Sequence, residues 1–304
     1  MLPWLRDHHA NPSGAHRLAR VARRALDEAR DVVAEAMGAD PGEVVFTSGG
    51  TEADNLAVLG VHDRRGGVLV ASAVEHHAVL DAVQARAGRF VAVDAHGVVD
   101  LDALAASLDA DVTLVSVMLA NNEVGTRQPL DDVAAVVRRL APAASLHTDA
   151  VQAMPWLDVA RAAAPADLVS ISAHKFGGPK GVGALAVRSG TPLAARQIGG
   201  GQERERRSGT PNLAGIVAMA TAARLTVEQR SATVGRVTSL RDRLHRTGLI
   251  VRQHDRHQRG GTVPEHRAQK LQIQHTGARD ADGSDRIGRK PPARQHRCML
   301  DGRN

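Results

Sequence analysis

The segment Ser170-Ile-Ser-Ala-His-Lys-Phe-Gly-Gly-Pro-Lys-Gly181 closes an apolar run and opens a loop in which Lys175 stands among small residues. The apolar run over residues 167–171 predicts a buried strand. A lysine directly after such a strand, beside a histidine and before Gly-Gly-Pro, is expected to be fixed and partly desolvated. Desolvation lowers the pKa of a lysine and makes its amine nucleophilic. The segment therefore predicts an imine-forming lysine, and the alternative is a surface lysine in a strand-to-strand turn.

Outward from this segment, residues 1–244 alternate between helix-like and strand-like patterns. Helices are predicted over 17–37, 51–61, 77–87, 101–108, 131–140 and 212–245, and strands over 43–47, 67–71, 90–93, 112–118, 144–148, 167–171 and 183–187. Strands that alternate with helices form a mostly parallel sheet with helices on both faces. The predicted class is therefore α/β, in which ligand sites lie at the carboxyl ends of the strands.

Composition narrows the possible classes of protein. The chain has 304 residues and is 43% hydrophobic, which is enough for a large core. A single cysteine rules out an internal disulfide framework and fits a reducing compartment, so the cytoplasm is the expected location. No apolar run reaches membrane-spanning length, and no charged-then-apolar leader is visible at the start. We therefore expect no membrane association.

The net charge of +6 is concentrated at one end of the chain. Residues 1–244 carry 26 basic and 27 acidic side chains, whereas residues 245–304 carry 13 and 6. This last segment is poor in apolar residues and has no helical or strand period, so it cannot offset its ordering entropy. It is interpreted as a frameshifted end, an ordinary disordered tail or a nucleic-acid-binding arm. Because it lacks the aromatic side chains that stack on bases, we expect no nucleic-acid partner.

An anion site is predicted where the strand at 43–47 runs into the next helix. The sequence there is Thr47-Ser-Gly-Gly-Thr-Glu. Free N–H groups and the positive end of the dipole favour an anion at a helix N-terminus, so Gly50 and Thr51 are the expected contacts of a phosphate. The alternative is an ordinary capped helix with Ser48 or Thr51 as the N-cap residue.

His76 follows the next strand and starts a predicted helix, where it can face the same cleft. A purely structural role at the helix start is the alternative. Glu75, His76 and His77 suggest a metal at first sight. Adjacent histidines at a helix start face different ways, however, and no third ligand has suitable spacing, so no metal site is expected.

Three further polar clusters follow predicted strands or precede the last helix. Asn122 brings an amide to a strand end, or else forms an Asx-type turn. Asp149 ends a buried strand, where a carboxylate needs a cationic partner, with helix capping as the alternative. Gln152 lies three residues further on. Arg207 and Thr210 lie in a Gly- and Pro-flanked loop that suits an anion, or is simply a solvated charged loop.

Taken in order, these motifs resemble the NifS/IscS class of cysteine desulfurases, within the fold-type I, class V aminotransferase-like enzymes. The matching motifs span about residues 1–244 and read NPSGAH, TSGGTEADNLAV, EHHAVLD, NNEVGT, HTDAVQ, SAHKFGGPKGVGAL and GGGQERERRSGTPN. The resemblance implies the fold-type I transferase architecture and pyridoxal 5'-phosphate as the cofactor. A lysine imine with an acidic partner at the pyridinium nitrogen is the equipment that this cofactor needs.

The resemblance assigns roles around the cofactor ring. It implies that Lys175 bonds the cofactor, that Asp149 pairs with the pyridine nitrogen and that Gln152 contacts the ring hydroxyl. His76 is implied to stack on the ring and to shuttle protons, and Asn122 to touch the cofactor or the substrate.

The resemblance also implies a phosphate-binding set. Gly50, Thr51, Ser172 and His174 would hold the phosphate, and Thr210 would reach the phosphate of the partner subunit in a homodimer.

The implied activity is conversion of L-cysteine to L-alanine, with the sulfur passed through a protein persulfide to an iron–sulfur scaffold or a tRNA-thiolation protein. Two alternatives stay open. One is a related class V aminotransferase or selenocysteine lyase. The other is a non-catalytic partner of the same fold with a basic nucleic-acid-binding tail.

The chain departs from the family pattern at both ends. Residues 1–16 are interpreted as a remnant of the N-terminal segment, 17–244 as the cofactor-binding large domain and 245–304 as the basic tail. The small C-terminal domain is expected to be missing or disordered. The family's cysteine loop has no counterpart here, and the context of Cys298 does not match it. The chain is therefore expected to bind the cofactor, and the missing cysteine loop counts against turnover.

Overall fold

The computed structural model describes residues 1–246. The first structural unit is Met1–Arg241, and the second begins at Asp242. The interpretations of the basic tail as frameshifted, disordered or nucleic-acid-binding concern residues that lie almost entirely outside the described part of the chain, as does Cys298.

Eight α-helices and seven strands are formed by the described residues. The helices are α1 (Leu2–Arg6), α2 (Arg17–Met37), α3 (Gly50–Arg65), α4 (His77–Gln84), α5 (Leu101–Ala106), α6 (Leu130–Leu140), α7 (Val159–Ala162) and α8 (Leu213–Arg246). The strands are β1 (Val44–Thr47), β2 (Val68–Ser72), β3 (Arg89–Val91), β4 (Val112–Ser116), β5 (Ser145–Asp149), β6 (Leu168–Ser172) and β7 (Gly183–Val187). No helix within residues 1–246 combines the length and apolarity needed to cross a bilayer.

The strands form one sheet in the order β1-β7-β6-β5-β4-β2-β3. Strands β2 to β6 pair in parallel, whereas β7 runs antiparallel to both β6 and β1. The prediction of a mostly parallel α/β sheet flanked by helices is therefore confirmed. Because β7 is antiparallel to both of its neighbours, β1 and β6 run in the same direction and their carboxyl ends lie at the same edge of the sheet.

Each face of the sheet packs on its own apolar layer. On one face Leu114, Leu168 and Leu185 pack with residues of α3 and α4 such as Leu56 and Val79, all buried. The opposite face packs against α2, α6 and α8. Because successive side chains of a strand point to opposite faces, alternate residues of the same strands supply the two layers. Polar side chains lie beyond these two apolar layers, at the carboxyl ends of the strands.

Helix α2 has the bounds that its pattern predicts, because Gly38 ends it in the left-handed conformation with φ 63°. The short helices α1 and α7 were not predicted, since four or five residues show no helical period. The predicted helix at 77–87 was too long: α4 ends at Gln84, after which Ala87 adopts φ 51°.

Candidate active site

The phosphate-site candidate lies where β1 passes into α3. Gly49 is the N-cap of α3, and Ser48 donates its N–H to the Glu52 carboxylate at 2.7 Å. The alternative of Ser48 or Thr51 as the N-cap residue is therefore wrong. A Cβ atom on Gly50 would stand 2.9 Å from Val151 Cγ2, so only glycine fits this backbone without a shift. The first N–H groups of a 16-residue helix are thus presented at the sheet edge.

The end of β6 lies next to this helix start. A Cβ atom on Gly50 would be 3.4 Å from Ser172 Cβ, and Ser172 Oγ is 3.0 Å from His174 Nδ1. Burial and the charges of Lys175 and Lys180 lower the pKa of His174. Ser172 and His174, predicted from the family pattern, are therefore placed beside Gly50.

Lys175 occupies a short 3₁₀ turn directly after β6. Its side chain is exposed, so the expectation of a partly desolvated lysine is wrong for this chain. The lysine directly follows the strand, as predicted, but it is not covered by the loop around it.

Asp149 ends β5 and is buried, with 5% of its surface exposed. Its Oδ1 accepts the N–H of Val151 at 2.8 Å. Burial raises the pKa of this carboxyl, while the Val151 N–H and the charges of His76 and Lys175 act in the opposite direction. The charges of His76 and Lys175, which were predicted to share its site, therefore favour the ionised form of Asp149.

His76 is the N-cap of α4, and its Nδ1 accepts the N–H of Ala78 at 3.1 Å. The ring therefore fulfils the structural role that was the alternative, while remaining exposed at the cleft. Within residues 1–246 no group of three or more His, Cys, Asp or Glu side chains is arranged to hold a metal.

Glu75 precedes His76 and carries an unexpected buried carboxyl. One oxygen accepts the N–H of Met118, and the other, Oε2, has no hydrogen-bond partner among the described residues. Burial, followed by the charge of Asp149, raises the pKa of Glu75 to about 8. The residue is therefore protonated at neutral pH.

Asn122, Gln152 and Thr210 lie on the periphery of this group. Asn122 is exposed, and the Asx-type turn offered as its alternative belongs to Asn121, whose Oδ1 accepts the N–H groups of Glu123 and Val124 at 2.9 and 3.0 Å. Gln152 is half-buried in the turn after β5.

Thr210 is exposed and lines a cavity of about 110 Å³ together with Ser48 and Arg207. It therefore lies near the phosphate-site candidate, on the side of the loop that precedes α8. Arg207 pairs with Glu52 of α3 at 2.8 Å, which ties this loop to the helix start.

A second ion pair anchors the same loop. Arg30 of α2 and Glu203 form a buried two-bond pair at 2.7 and 2.8 Å, and Glu203 also accepts the N–H of Phe46. Glu203, Arg204 and Glu205 have positive φ values of 49°, 56° and 62°. A left-handed conformation at three consecutive non-glycine residues is strained, and the two ion pairs hold it in place.

Three residues behind Asp149 were missed from the sequence: Asp54, His147 and Ser170, all at most 1% exposed. A usable signal existed for two of them. Polar residues at alternate positions of the buried strands β5 and β6 predict a polar patch on one face of the sheet. Asp54 carried no such signal, because it lies in α3 close to the polar residues Glu52 and Asn55 and is not distinguished from them by the sequence.

The class of protein to which this sheet and candidate site belong is given by a match to a protein-family model. The model of the family described as Aminotransferase class-V matches residues 1–260, and the chain belongs to this family.

Among proteins similar in sequence is the Cysteine desulfurase IscS of Dictyoglomus turgidum, 42% identical over 250 residues, with 80% of this chain and 63% of the relative covered. Among solved structures, a NifS-like protein has a TM-score of 0.78 and 38% identity, with 82% and 70% of the two chains covered. The structure of SspA in complex with cysteine has a TM-score of 0.68 and 35% identity, covering 73% and 66%. The chain thus spans about 63% of the length of the curated relative.

The family's cofactor is pyridoxal 5'-phosphate, and the residues present fit it. The glycine-lined helix start at Gly50 suits a phosphate. The buried carboxyl of Asp149 suits a protonated ring nitrogen, because a buried carboxylate requires a cationic partner. Lys175 supplies an amine within electrostatic reach of that carboxyl.

Proposed function

We propose that this chain is a pyridoxal phosphate-dependent cysteine desulfurase, which converts L-cysteine to L-alanine and transfers the sulfur to a thiol. The observation that carries the proposal is that the buried carboxyl of Asp149 at the end of β5, the glycine-lined helix start at Gly50 and the Lys175 turn after β6 lie at the same edge of the sheet. The similarity to the IscS protein and to the cysteine-bound SspA structure supports this choice of activity and substrate.

Three residues would act at the cofactor ring. When bound, pyridoxal phosphate supplies an electron sink that stabilises negative charge at the α-carbon. Asp149 would hold the ring nitrogen in its protonated form, since its buried carboxylate favours a nearby cation. Lys175 would bond the cofactor through its Nζ and carry protons to and from the substrate. His76, fixed by its cap hydrogen bond, would stack on the ring and move a proton at its Nε2.

The remaining candidates would hold the cofactor by its other substituents. Gly50 and Thr51 would offer backbone N–H groups to the phosphate, and Ser172 and His174 would add side-chain donors. Gln152 lies in the turn after β5 and would contact the ring hydroxyl.

Asn122 and Thr210 lie at the periphery of the candidate site. Asn122 would touch the cofactor or the substrate. Thr210 would reach the phosphate of a partner subunit in a homodimer, and its exposed position beside the cavity at Ser48 is consistent with a role across a subunit boundary.

A thiolate would attack the substrate sulfur, so that an S–S bond forms while the bond between the β-carbon and the sulfur breaks. The β-carbon would keep the electron pair of that bond and take up a proton, which gives alanine and leaves a persulfide on the thiol. We further propose a cytoplasmic location and an iron–sulfur scaffold or a tRNA-thiolation protein as the final acceptor. Cys298 is the single cysteine of the chain. Its surroundings do not match the family's cysteine loop, so we expect an added thiol to be the better acceptor.

The cofactor half of the proposal is tested by comparing Lys175→Ala with Lys180→Ala. Both lysines are exposed and lie in the same loop, so the second variant is a matched control. The purified wild type and Lys180→Ala should develop the visible absorbance of a lysine-bound cofactor when pyridoxal phosphate is added. Lys175→Ala should not. Equal absorbance in all three proteins would contradict the role of Lys175.

The reaction half is tested by supplying L-cysteine and dithiothreitol to the loaded protein and measuring alanine and sulfide. Both products should appear in equal amounts with the wild type and with Cys298→Ser. Cofactor binding without alanine would reject desulfurase activity for this chain. Alanine that disappears in Cys298→Ser would instead identify Cys298 as the persulfide carrier.

A further inference from the structure

A patch of buried polar side chains lies behind Asp149 on the sheet face that α3 covers. His147 precedes Asp149 by two residues on β5, so both side chains are on this face. The strand register pairs Asp149 with Ser170 of β6 and His147 with Ser116 of β4. These four residues therefore form one polar patch at the edge of an otherwise apolar layer.

The patch is connected by short contacts and completed from the helix above it. His147 Nδ1 is 2.8 Å from Ser116 Oγ, and its Nε2 is 3.0 Å from Ser170 Oγ. Asp54 of α3 places its Oδ1 3.7 Å from the same Nε2. This Oδ1 is buried and has no hydrogen-bond partner within residues 1–246. Asp54 thus lies directly against the ring of His147.

Asp54 and His147 do not form an ion pair, because the imidazole is uncharged at neutral pH. Burial lowers the pKa of His147 to about 3. Burial, followed by the charge of Asp149, raises the pKa of Asp54 well above its ordinary value. At neutral pH the imidazole is therefore uncharged, and burial disfavours the charged form of the Asp54 carboxyl, as expected for a pair whose desolvation exceeds its attraction.

The other titratable groups that face Asp149 decide where a negative charge can reside. Glu75, from the turn before α4, is protonated at neutral pH because burial raises its pKa. The charges of His76 and Lys175 lower the pKa of Asp149 and so favour its ionised form. Asp149 also receives the Val151 N–H, so it is the carboxyl of this cluster best suited to be ionised.

We propose that Asp54 is a positioning residue that acts on Asp149 through His147 and Ser170. Asp54 provides an uncharged environment that excludes water behind Asp149, so that the negative charge of the cluster resides on Asp149. The inference rests on the proposed function, since the Asp149 charge is needed there to hold the cofactor's ring nitrogen. Asp54 itself lies behind the patch and is not proposed to touch the cofactor.

Two substitutions separate a neutral Asp54 from a charged one. Asp54→Asn keeps the shape and the neutral state, so its dissociation constant for pyridoxal phosphate at pH 7 should equal that of the wild type. Asp54→Ala opens the space beside His147 to water and should weaken binding about tenfold, the effect of one pKa unit at Asp149. Asp81→Asn, on the exposed surface of α4, is the matched control.

Infrared spectroscopy of the full chain supplies a readout that requires neither cofactor nor turnover. The wild type should show the carbonyl stretch of a protonated, buried carboxyl group at pH 7, and Asp54→Asn should lose part of that band. Circular dichroism establishes that each variant is folded. If Asp54→Ala does not fold, the Asn variant and the infrared band still decide the question.

Three results would overturn the inference while leaving the proposed function intact. They are a wild-type protein that binds the cofactor but has the same carboxyl band as Asp54→Asn, an Asn variant that binds at least tenfold more weakly, or a folded Ala variant that binds like Asp81→Asn. A wild type that binds no pyridoxal phosphate would instead reject the proposed function, and this inference with it.

Discussion

Glu75→Gln is expected to stabilise the protein in a manner that depends on pH. The folded pKa of Glu75 is about 8, against an ordinary value of 4.5. Between these values the unfolded chain releases the proton while the folded chain keeps it. The free energy of unfolding therefore falls as the pH rises through this window, by about 1.4 kcal/mol per pH unit.

The size of the effect follows from the width of that window. At pH 7 the wild type has lost about 3 kcal/mol relative to pH 4 through this one group. Glutamine does not titrate, and its amide oxygen can accept the Met118 N–H as the carboxyl does. Glu75→Gln should therefore exceed the wild type in stability by about 3 kcal/mol at pH 7 and match it near pH 4.

Urea unfolding of the full chain at pH 4, 5.5 and 7 measures this difference. Glu123→Gln, at an exposed position in the loop after β4, is the control and should leave the pH dependence unchanged. A Glu75→Gln protein that is less stable than the wild type at pH 7, or whose advantage does not grow with pH, would refute a buried protonated carboxyl at this position.

Three further substitutions test the loop and the helix start. Glu205→Gly relieves a residue at φ 62° and should raise the free energy of unfolding by about 1 kcal/mol in thermal denaturation; a lower melting temperature would argue against strain there. Arg30→Met leaves its buried carboxylate partner unpaired and should cost about 3 kcal/mol or more in urea unfolding, whereas a neutral effect would show the ion pair to be dispensable. Gly183→Ala would place a Cβ atom 2.7 Å from the carbonyl carbon of Gly49, so a titration should show cofactor binding weakened about tenfold, with Gly235→Ala as a control in open space.

The order of the elements could be predicted from the sequence because most of them have a clear period or a clear end. Helix α2 is long, amphipathic and closed by Gly38, so both of its ends were found. The direction of β7 could not be read from apolar residues alone. Its short connection to β6, residues 173–182, is the physical reason for the reversal, because a parallel return needs a crossover of about a dozen residues or more.

The site was predictable where a polar residue directly follows a buried strand. Asp149, which follows the strand predicted over 144–148, is such a residue, whereas Ser172, the last residue of β6, was implied only by the family resemblance. The exposure of Lys175 could not be predicted. The sequence pattern identifies the strand before this residue, but it does not show which distant segments cover its side chain. The burial of Asp54 could not be predicted either, because the residues that surround it belong to β5 and β6, about a hundred residues away in sequence.

The position of β1 bears on the order in which the molecule assembles. Within residues 1–246, β7 is the only strand that pairs with β1. A growing chain that has not yet reached residue 187 therefore carries β1 without a partner, and the turn into α3 lacks the strand that braces it. Contacts between such distant segments form slowly. The helix start proposed to hold a phosphate therefore depends on a strand that lies far away along the chain, because Gly183 of β7 packs directly against Gly49.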